Sequence, residues 1–194
     1  MAGISVITSF ENTRLPGSCW FLEPGKVVTA AHVVWDKKNN KLAKVVDFVG
    51  SMGGNLQCMP NQMKVYPDYP RAVASRPNAH QYDFDVGVMK IPVRNASFLP
   101  IRTVGAGEID DVVLEICGID SQTSIKQCLT GRGVREPSLR RVVKYQAMTR
   151  DGQSGSPVTV KGVAGVVGIH VFGGSGTGYA LVIDAEIAAF IASS

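Results

Sequence analysis

Three short segments of the chain carry a histidine, a carboxylate and a serine that could act together in nucleophilic catalysis. His32 lies in VVTAAHVV, Asp85 opens the apolar run of YDFDVGVMKI, and Ser154 lies in TRDGQSGSPV. A serine hydroxyl is a poor nucleophile near neutral pH unless a base takes its proton, and an imidazole does so when a carboxylate fixes its tautomer. The chain order His32, Asp85, Ser154 therefore predicts catalysis through an activated serine.

Glycines on both sides of Ser154 predict a tight turn. Gly152 and Gly155 permit backbone angles that a side chain would forbid. Such a turn lets backbone N–H groups converge beside the serine hydroxyl, which is the geometry that an oxyanion hole requires.

Asp83 is the alternative to Asp85 as the carboxylate that orients His32. A carboxylate in an apolar strand must be hydrogen-bonded, since it would otherwise take up a proton, and an imidazole N–H is a natural partner. Asp85 is favoured because the apolar run begins directly after it, and Asp83 stays open as the second candidate.

The elements that must position these residues are short strands. Helical periodicity is nearly absent, and Gly, Pro, Asn or Asp separate apolar segments that are rich in Val and Ile. The predicted strands are Cys19–Leu22, Lys26–Thr29, Lys44–Val49, Phe84–Ile91, Asp111–Cys117, Arg140–Ala147, Val163–Val171 and Tyr179–Ile183. Many short strands with frequent turns are typical of an all-β barrel or sandwich. One helix is predicted at the end, with Asp184 as N-cap and Ile187, Phe190 and Ile191 on one face.

The composition is that of a soluble globular protein. The 194 residues are 45% apolar and 19% charged and carry a net charge of +4, which excludes disorder, collagen and coiled coil. The length allows one domain or two subdomains that share a core, and the stretch Asn95–Gly107 would suit a linker between halves. The uncharged stretch Gly162–Ile183 is rich in glycine, so it predicts two strands around a turn and no membrane span.

The four cysteines, at positions 19, 58, 117 and 128, show no CxxC spacing. The amino terminus shows no basic start followed by an apolar run, so we expect no secretory signal and reduced thiols in a cytosol-like compartment. The three histidines have no zinc-finger spacing, and neither a metal nor another cofactor is predicted.

TAAH, the D-V-G-V strand and G-Q-S-G-S-P resemble the His, Asp and Ser signatures of chymotrypsin-like proteases, from about Gly17 to Ile191. The resemblance implies that His32 is the general base, that Asp85 orients it and that Ser154 attacks the peptide carbonyl. The N–H groups of Gly152 and Ser154 would form the oxyanion hole.

The resemblance also implies the architecture. The expected fold is all-β, with two antiparallel six-stranded β-barrels and a short C-terminal helix. Residues 1–98 would form the N-terminal barrel with His32 and Asp85, and residues 99–194 the C-terminal barrel with Ser154. The cleft between the barrels would hold the active site.

A closer branch is indicated by the segment Thr149–Pro157 and the later V-G-I-H that ends at His170. Both are similar to the picornain-like (3C-like) proteases of positive-strand RNA viruses, and the potyvirus main protease has nearly matching strings. The resemblance implies that Thr149 and His170 line the S1 pocket and bind Gln or Glu at P1. Most members of this branch carry Cys at the position of Ser154, so Ser154 is either a natural variant or a Cys→Ser substitution.

These features predict a serine endopeptidase that processes a viral polyprotein, such as its own, in the host cytoplasm. One alternative is a bacterial glutamyl endopeptidase, which also pairs S-G-S-P with V-G-I-H and is normally secreted. The other is a catalytically silent module that captures peptide or RNA. RNA binding has weak support, because the segment Arg94–Pro100 matches the basic RNA-binding motif of picornavirus enzymes poorly. The oligomeric state is left open.

Overall fold

The structure is a computed structural model that describes residues 3–49, 56–75, 79–93, 96–121, 123 and 125–194. It is nearly all-β, with two barrel-like sheets and a short C-terminal helix. The predicted fold class is therefore confirmed. No helix within these described ranges is long and apolar enough to cross a membrane.

The first half of the chain forms a nearly closed antiparallel sheet. The strands of this sheet are β1 (Ile4–Ser9), β2 (Arg14–Glu23), β3 (Lys26–Thr29), β6 (Val45–Val49), β7 (Gln57–Cys58), β8 (Met63–Val65) and β9 (Gly87–Lys90). Strands β4 (Trp35–Asp36) and β5 (Lys41–Leu42) form a separate small hairpin. The seven strands of the main sheet follow the order β7-β6-β1-β2-β3-β9-β8, so this half has one strand more than expected. Two short helices, α1 (Ala31–Val34) and α2 (Tyr69–Ser75), were not predicted from the sequence.

The second half is a closed six-stranded barrel. Its strands are β10 (Val113–Ile119), β11 (Lys126–Arg135), β12 (Val142–Gln146), β13 (Pro157–Val160), β14 (Val166–Gly174) and β15 (Thr177–Val182). They follow the order β10-β11-β12-β15-β14-β13, and pairing of β10 with β13 closes the barrel. Helix α3 (Ala185–Ser193) follows, and the Asp184 carboxylate accepts the Ile187 N–H at 2.9 Å, which confirms the predicted N-cap.

The chain passes from the first sheet to the second between the end of β9 at Lys90 and the start of β10 at Val113. The Leu99 N–H donates to the Phe21 carbonyl of β2, whereas Ile101 forms a bridge with Val166 of β14. The boundary between residues 98 and 99 lies in this connection, and the division into two separate domains stays a prediction. Arg94 and Asn95, at the start of the segment considered for RNA binding, lie outside the described residues.

A buried arginine joins the two halves and the C-terminal helix. Arg141, at the start of β12, is 2% exposed, and its Nε donates to Asp184 at 2.7 Å. The same guanidinium also donates to Glu186 of α3. From the first half, the buried Asp83 carboxylate accepts the N–H groups of Arg140 at 3.2 Å and Arg141 at 2.7 Å. Asp83 therefore has a structural role at the interface between the halves.

Two of the four cysteines are joined, so the expectation of reduced thiols is wrong for this pair. Cys117 of β10 and Cys128 of β11 lie directly opposite each other in the antiparallel ladder, with their Cα atoms 4.1 Å apart, and form a disulfide. Their spacing of 11 residues has no sequence signature, because the register of the two strands decides which residues face each other. Cys19 and Cys58 are buried free thiols.

We expect the double variant Cys117→Ser/Cys128→Ser to have a free energy of unfolding about 2–3 kcal/mol smaller than the wild type, since the disulfide closes a short loop in the unfolded chain. Urea denaturation of the oxidised wild type and of the variant measures this difference. A reductant should destabilise the wild type and leave the variant unchanged. A wild type whose stability is insensitive to reductant would contradict the prediction.

Candidate active site

His32 is held by both oxygens of the Asp85 carboxylate. Its backbone N–H donates to Oδ1 at 2.8 Å and its Nδ1 lies 2.7 Å from Oδ2. The Asp85 side chain is fully buried, whereas 22% of the His32 side chain is exposed. Ala30 and Ala31 are fully buried between β3 and this histidine, so their small side chains let α1 turn tightly against the sheet.

This pairing fixes the tautomer of His32. A carboxylate only accepts hydrogen bonds, so Nδ1 carries the proton and donates it to Asp85. The lone pair is then on Nε2, on the exposed side of the ring, where it can take a proton from a nucleophile. Asp83 does not share this role, because its two carboxylate oxygens bind the backbone of the second barrel.

Ser154 lies in a turn whose backbone only glycine can adopt. Gly152 has φ of 92° and Gly155 has φ of 89°, both in the left-handed region. A Cβ atom on Gly155 would lie 2.0 Å from the Ser18 carbonyl oxygen, so the turn packs directly on the backbone of β2. The Gly155 N–H also donates to the His170 carbonyl at 2.8 Å, which ties the turn to β14.

A cavity of about 530 Å³ brings the candidate residues together. His32, Thr149, Gly152, Ser154 and His170 all line it, and Asp85 lies behind His32. A serine hydroxyl, an imidazole with a free Nε2 and a glycine-rich turn in one cavity can perform acyl transfer.

His170 of β14 lines part of the cavity. The Tyr145 hydroxyl from β12 hydrogen-bonds to Nδ1 of His170, and both side chains are buried. Burial, with a smaller contribution from the nearby His32, lowers the pKa of His170 to about 3. Burial also raises the pKa of Tyr145 well above its usual value. Both groups are therefore neutral near neutral pH.

Thr149 lies beside this histidine. Its hydroxyl is buried and has no hydrogen-bond partner among the described residues. It packs against the backbone of Gly173, since a Cβ at that position would lie 1.7 Å from Thr149 Oγ1. An unpaired buried hydroxyl is costly to a folded protein, so it is available to a ligand that enters the cavity.

The sequence did not indicate Tyr145, Gly173 or the aromatic wall of the cavity. Tyr82 and the half-exposed Phe172 also line it, and their rings stack at 5.6 Å between centroids. Tyr145 has no motif around it, and the Gly173-Gly174 pair had indicated only a turn. Phe172 lies two residues after His170, and this spacing is the one local signal that could have identified it.

One cluster among the described residues has the composition of a metal site. The ligand atoms of Glu115, Cys117 and Cys128 lie within 4.8 Å of one another. The two sulfurs are joined in the disulfide and are not thiolates, so this cluster does not have the donors that a metal needs.

Comparison with known families and structures agrees with this geometry. A family model described as a trypsin-like peptidase domain matches residues 17–169. No curated protein sequence is significantly similar to the chain.

Solved structures of proteases share the fold. A Glu endopeptidase matches with 18% identity over 97% of this chain and 88% of its own, at a TM-score of 0.75. The protease Anisep from Arthrobacter nicotinovorans matches with 12% identity over 100% and 95%, at 0.76. A human pathogenic astrovirus serine protease matches with 17% identity over 94% and 91%, at 0.63.

Proposed function

Since the chain belongs to the trypsin-like peptidase family and is a serine endopeptidase, we propose that it cleaves polypeptides after glutamine or glutamate. The observation that carries this proposal is a pair of uncharged polar groups in the cavity beside the catalytic residues. Neutral His170 and the unpaired hydroxyl of Thr149 lie within the cavity that also holds His32 and Ser154.

Ser154, His32 and Asp85 act as nucleophile, base and orienting carboxylate. Ser154 Oγ forms a bond to the peptide carbonyl carbon while its proton moves to His32 Nε2, and the carbonyl π electrons move to the oxygen. The N–H groups of Gly152 and Ser154 stabilise that oxyanion. The intermediate then expels the amine, which takes the proton from His32, and leaves an acyl-enzyme. Water then attacks the acyl-enzyme and gives a proton to His32. His32 returns a proton to Ser154 Oγ as the acid product leaves.

The P1 preference follows from hydrogen-bond donors in the pocket. In this proposal the Tyr145 hydroxyl is the donor to Nδ1 of His170, so the neutral ring carries its proton on Nε2 and can donate it to a P1 side chain. With the Thr149 hydroxyl, this N–H can satisfy the side-chain oxygen of glutamine or glutamate. A lysine ammonium carries only hydrogen-bond donors, so it cannot accept from these two groups. An apolar side chain leaves both groups without an acceptor, which weakens binding of the transition state.

We expect peptides with Gln or Glu at P1 to be cleaved with a kcat/KM at least about 100-fold higher than peptides with Lys, Phe or Ala, since a buried donor without a partner discriminates strongly. Fluorogenic peptides that differ only at P1 measure these ratios. Equal turnover of all five peptides would remove His170 and Thr149 from the specificity pocket. The matched variant Tyr145→Phe keeps the ring and removes the hydroxyl, so it should weaken the preference for Gln.

The rates of cleavage after Glu and after Gln should respond differently to pH. Because the pKa of His170 is lowered to about 3, its ring is neutral at pH 6–8 and a P1 carboxylate meets no positive charge there. A bound carboxylate raises the pKa of the ring, so cleavage after Glu should gain on cleavage after Gln as the pH falls. A Glu-to-Gln ratio that is constant from pH 8 to pH 5 would contradict this arrangement.

We propose a viral polyprotein as the substrate and the host cytoplasm as the location, from the similarity of Thr149–Pro157 and His170 to the 3C-like branch. The alternative is a secreted glutamyl endopeptidase, which the similarity in fold to a Glu endopeptidase favours. A strict preference for Gln at P1 supports the viral assignment, and a strict preference for Glu supports the bacterial one. Genes for a polymerase or a helicase in the same reading frame would identify the viral source.

A module that only captures peptide would differ from an active enzyme in its reaction with an inhibitor that modifies the catalytic serine. An active-site-directed phosphonate with Gln at P1 should label Ser154 of an active enzyme, and mass spectrometry of the labelled peptide identifies the residue. Absence of labelling together with measurable peptide affinity would favour capture. Affinity for RNA that barely changes with salt would leave RNA binding without support.

A further inference from the structure

We propose that Ser18 of β2 is a positioning residue that holds the backbone of the oxyanion turn, an inference that rests on the proposed endopeptidase function. Ser18 is fully buried and belongs to the first half of the chain. The turn that it contacts belongs to the second half. Neither the catalytic motifs nor the specificity pocket includes this residue.

Ser18 makes two hydrogen bonds to the turn, one from its backbone and one from its side chain. Its backbone N–H donates to the Ser154 carbonyl at 2.7 Å. Its Oγ donates to the Gly152 carbonyl, also at 2.7 Å. Gly152 and Ser154 are the two residues whose N–H groups would stabilise the oxyanion, so Ser18 fixes the carbonyl of each of them.

Gly152 needs an external restraint because of its own backbone. With φ of 92° it occupies a region that a glycine enters and leaves with little steric cost. The bond from Ser18 Oγ sets the orientation of the Gly152 carbonyl, and with it the ψ angle of the residue whose N–H points to the oxyanion. An oxyanion hole stabilises the transition state only if its donors are in place before the charge develops. Ser18 supplies this preorganisation.

The hydrogen bonds continue to the strand that leads to His32. The Thr29 hydroxyl of β3 donates to the Ser18 carbonyl at 2.7 Å, and Ala30 and Ala31 connect Thr29 to His32. The Ser18 carbonyl oxygen also lies against Gly155, where a Cβ would come within 2.0 Å. Ser18 therefore aligns the turn of the second barrel with β3, the strand that leads to His32.

The test compares Ser18→Ala with the matched control Thr8→Val. Thr8, on neighbouring β1, is also fully buried, and its hydroxyl has no hydrogen-bond partner among the described residues. Both variants thus lose one buried hydroxyl from the same sheet, and only Ser18→Ala loses a bond to the turn. Loss of this bond should lower kcat on a Gln-P1 peptide about tenfold, the effect expected for one neutral hydrogen bond. KM and the melting temperature should stay close to those of Thr8→Val.

A peptide aldehyde with Gln at P1 gives the second readout, because it binds as a tetrahedral adduct whose oxygen occupies the oxyanion hole. Its inhibition constant should rise about tenfold for Ser18→Ala and stay unchanged for Thr8→Val. If Ser18→Ala retains the wild-type kcat and inhibition constant, the positioning role is wrong and the proposed endopeptidase function stands. If kcat, KM and melting temperature all change together, Ser18 is only structural and the inference is also wrong.

A wrong P1 specificity can be told apart from a wrong role of Ser18. A wild type that cleaves denatured casein but not Gln or Glu peptides contradicts the specificity, and the comparison of Ser18→Ala with Thr8→Val is then made on casein. If Ser18→Ala does not fold, Ser18→Cys keeps most of the side-chain volume with a weaker donor. A folded Ser18→Cys variant with wild-type kcat would overturn the inference.

Discussion

Ser154→Ala is expected to lower kcat on a Gln-P1 peptide by about 10⁴- to 10⁶-fold, because no other group then forms the acyl-enzyme. The fold should be unaffected, since Gly152 and Gly155 supply the unusual backbone of the turn and Ser154 is only partly buried. Steady-state kinetics and the melting temperature measure the two effects.

Ser156→Ala is the matched control for this loss. Ser156 lies two residues further along the same segment and is fully buried, and its hydroxyl has no hydrogen-bond partner among the described residues. Its removal should change kcat by no more than about threefold, as for a group that contributes little to the transition state. A Ser154→Ala enzyme with comparable activity to Ser156→Ala would remove Ser154 as the nucleophile.

The variant Ser154→Cys distinguishes a natural serine at this position from a Cys→Ser substitution. In a native serine enzyme, the change should reduce turnover, since the turn and His32 are adapted to a hydroxyl. In a cysteine enzyme that was silenced by substitution, the change should raise kcat strongly, because a thiol paired with an imidazole is readily activated. Phosphonate labelling of the unmodified chain gives an independent measure, as only an activated Ser154 reacts.

Asp85→Asn is expected to lower kcat about 10⁴-fold, because it stabilises the wrong tautomer of His32. The asparagine carbonyl must face the His32 backbone N–H, which now donates to Oδ1 at 2.8 Å. The amide NH₂ then faces Nδ1 and donates to it, so the ring carries its proton on Nε2. A histidine in that state has no lone pair on Nε2 with which to take the Ser154 proton.

Asp83→Asn is the control for Asp85→Asn, because the two carboxylates are two residues apart and both are buried. The Asp83 oxygens accept the N–H groups of Arg140 and Arg141, and an amide can accept only one of these with its oxygen. Asp83→Asn should therefore lower the free energy of unfolding by about 1–3 kcal/mol, with a much smaller loss of kcat. Urea denaturation measures the free energy of unfolding of both variants, and steady-state kinetics measures their kcat. The reverse pattern would make Asp83 the orienting carboxylate.

The residue types along the chain specify the catalytic groups and their local setting. VVTAAHVV, YDFDVGVMKI and GQSGSP each combine a reactive side chain with the apolar or glycine residues that shape its backbone, and that information is local. The alternation of short apolar segments and turn residues likewise predicted strands that overlap β2, β3, β6, β9, β10, β12, β14 and β15, but it missed β1, β7, β8, β11 and β13. Asp184 predicted the start of α3. Local steric and capping preferences act over a few residues, so a single sequence carries them.

Contacts between groups that are far apart in the chain became known from the folded structure. Asp85 reaches His32 across 53 positions, and Ser18 reaches Gly152 across 134. The pairing of Cys117 with Cys128 depends on the register of β10 and β11, and the burial of Arg141 depends on α3 closing over both halves. These contacts form because two sheets close and pack on each other, and that closure is set by the sum of many apolar contacts. No local pattern encodes it, so Ser18, Tyr145 and the structural role of Asp83 emerge only when the fold is complete.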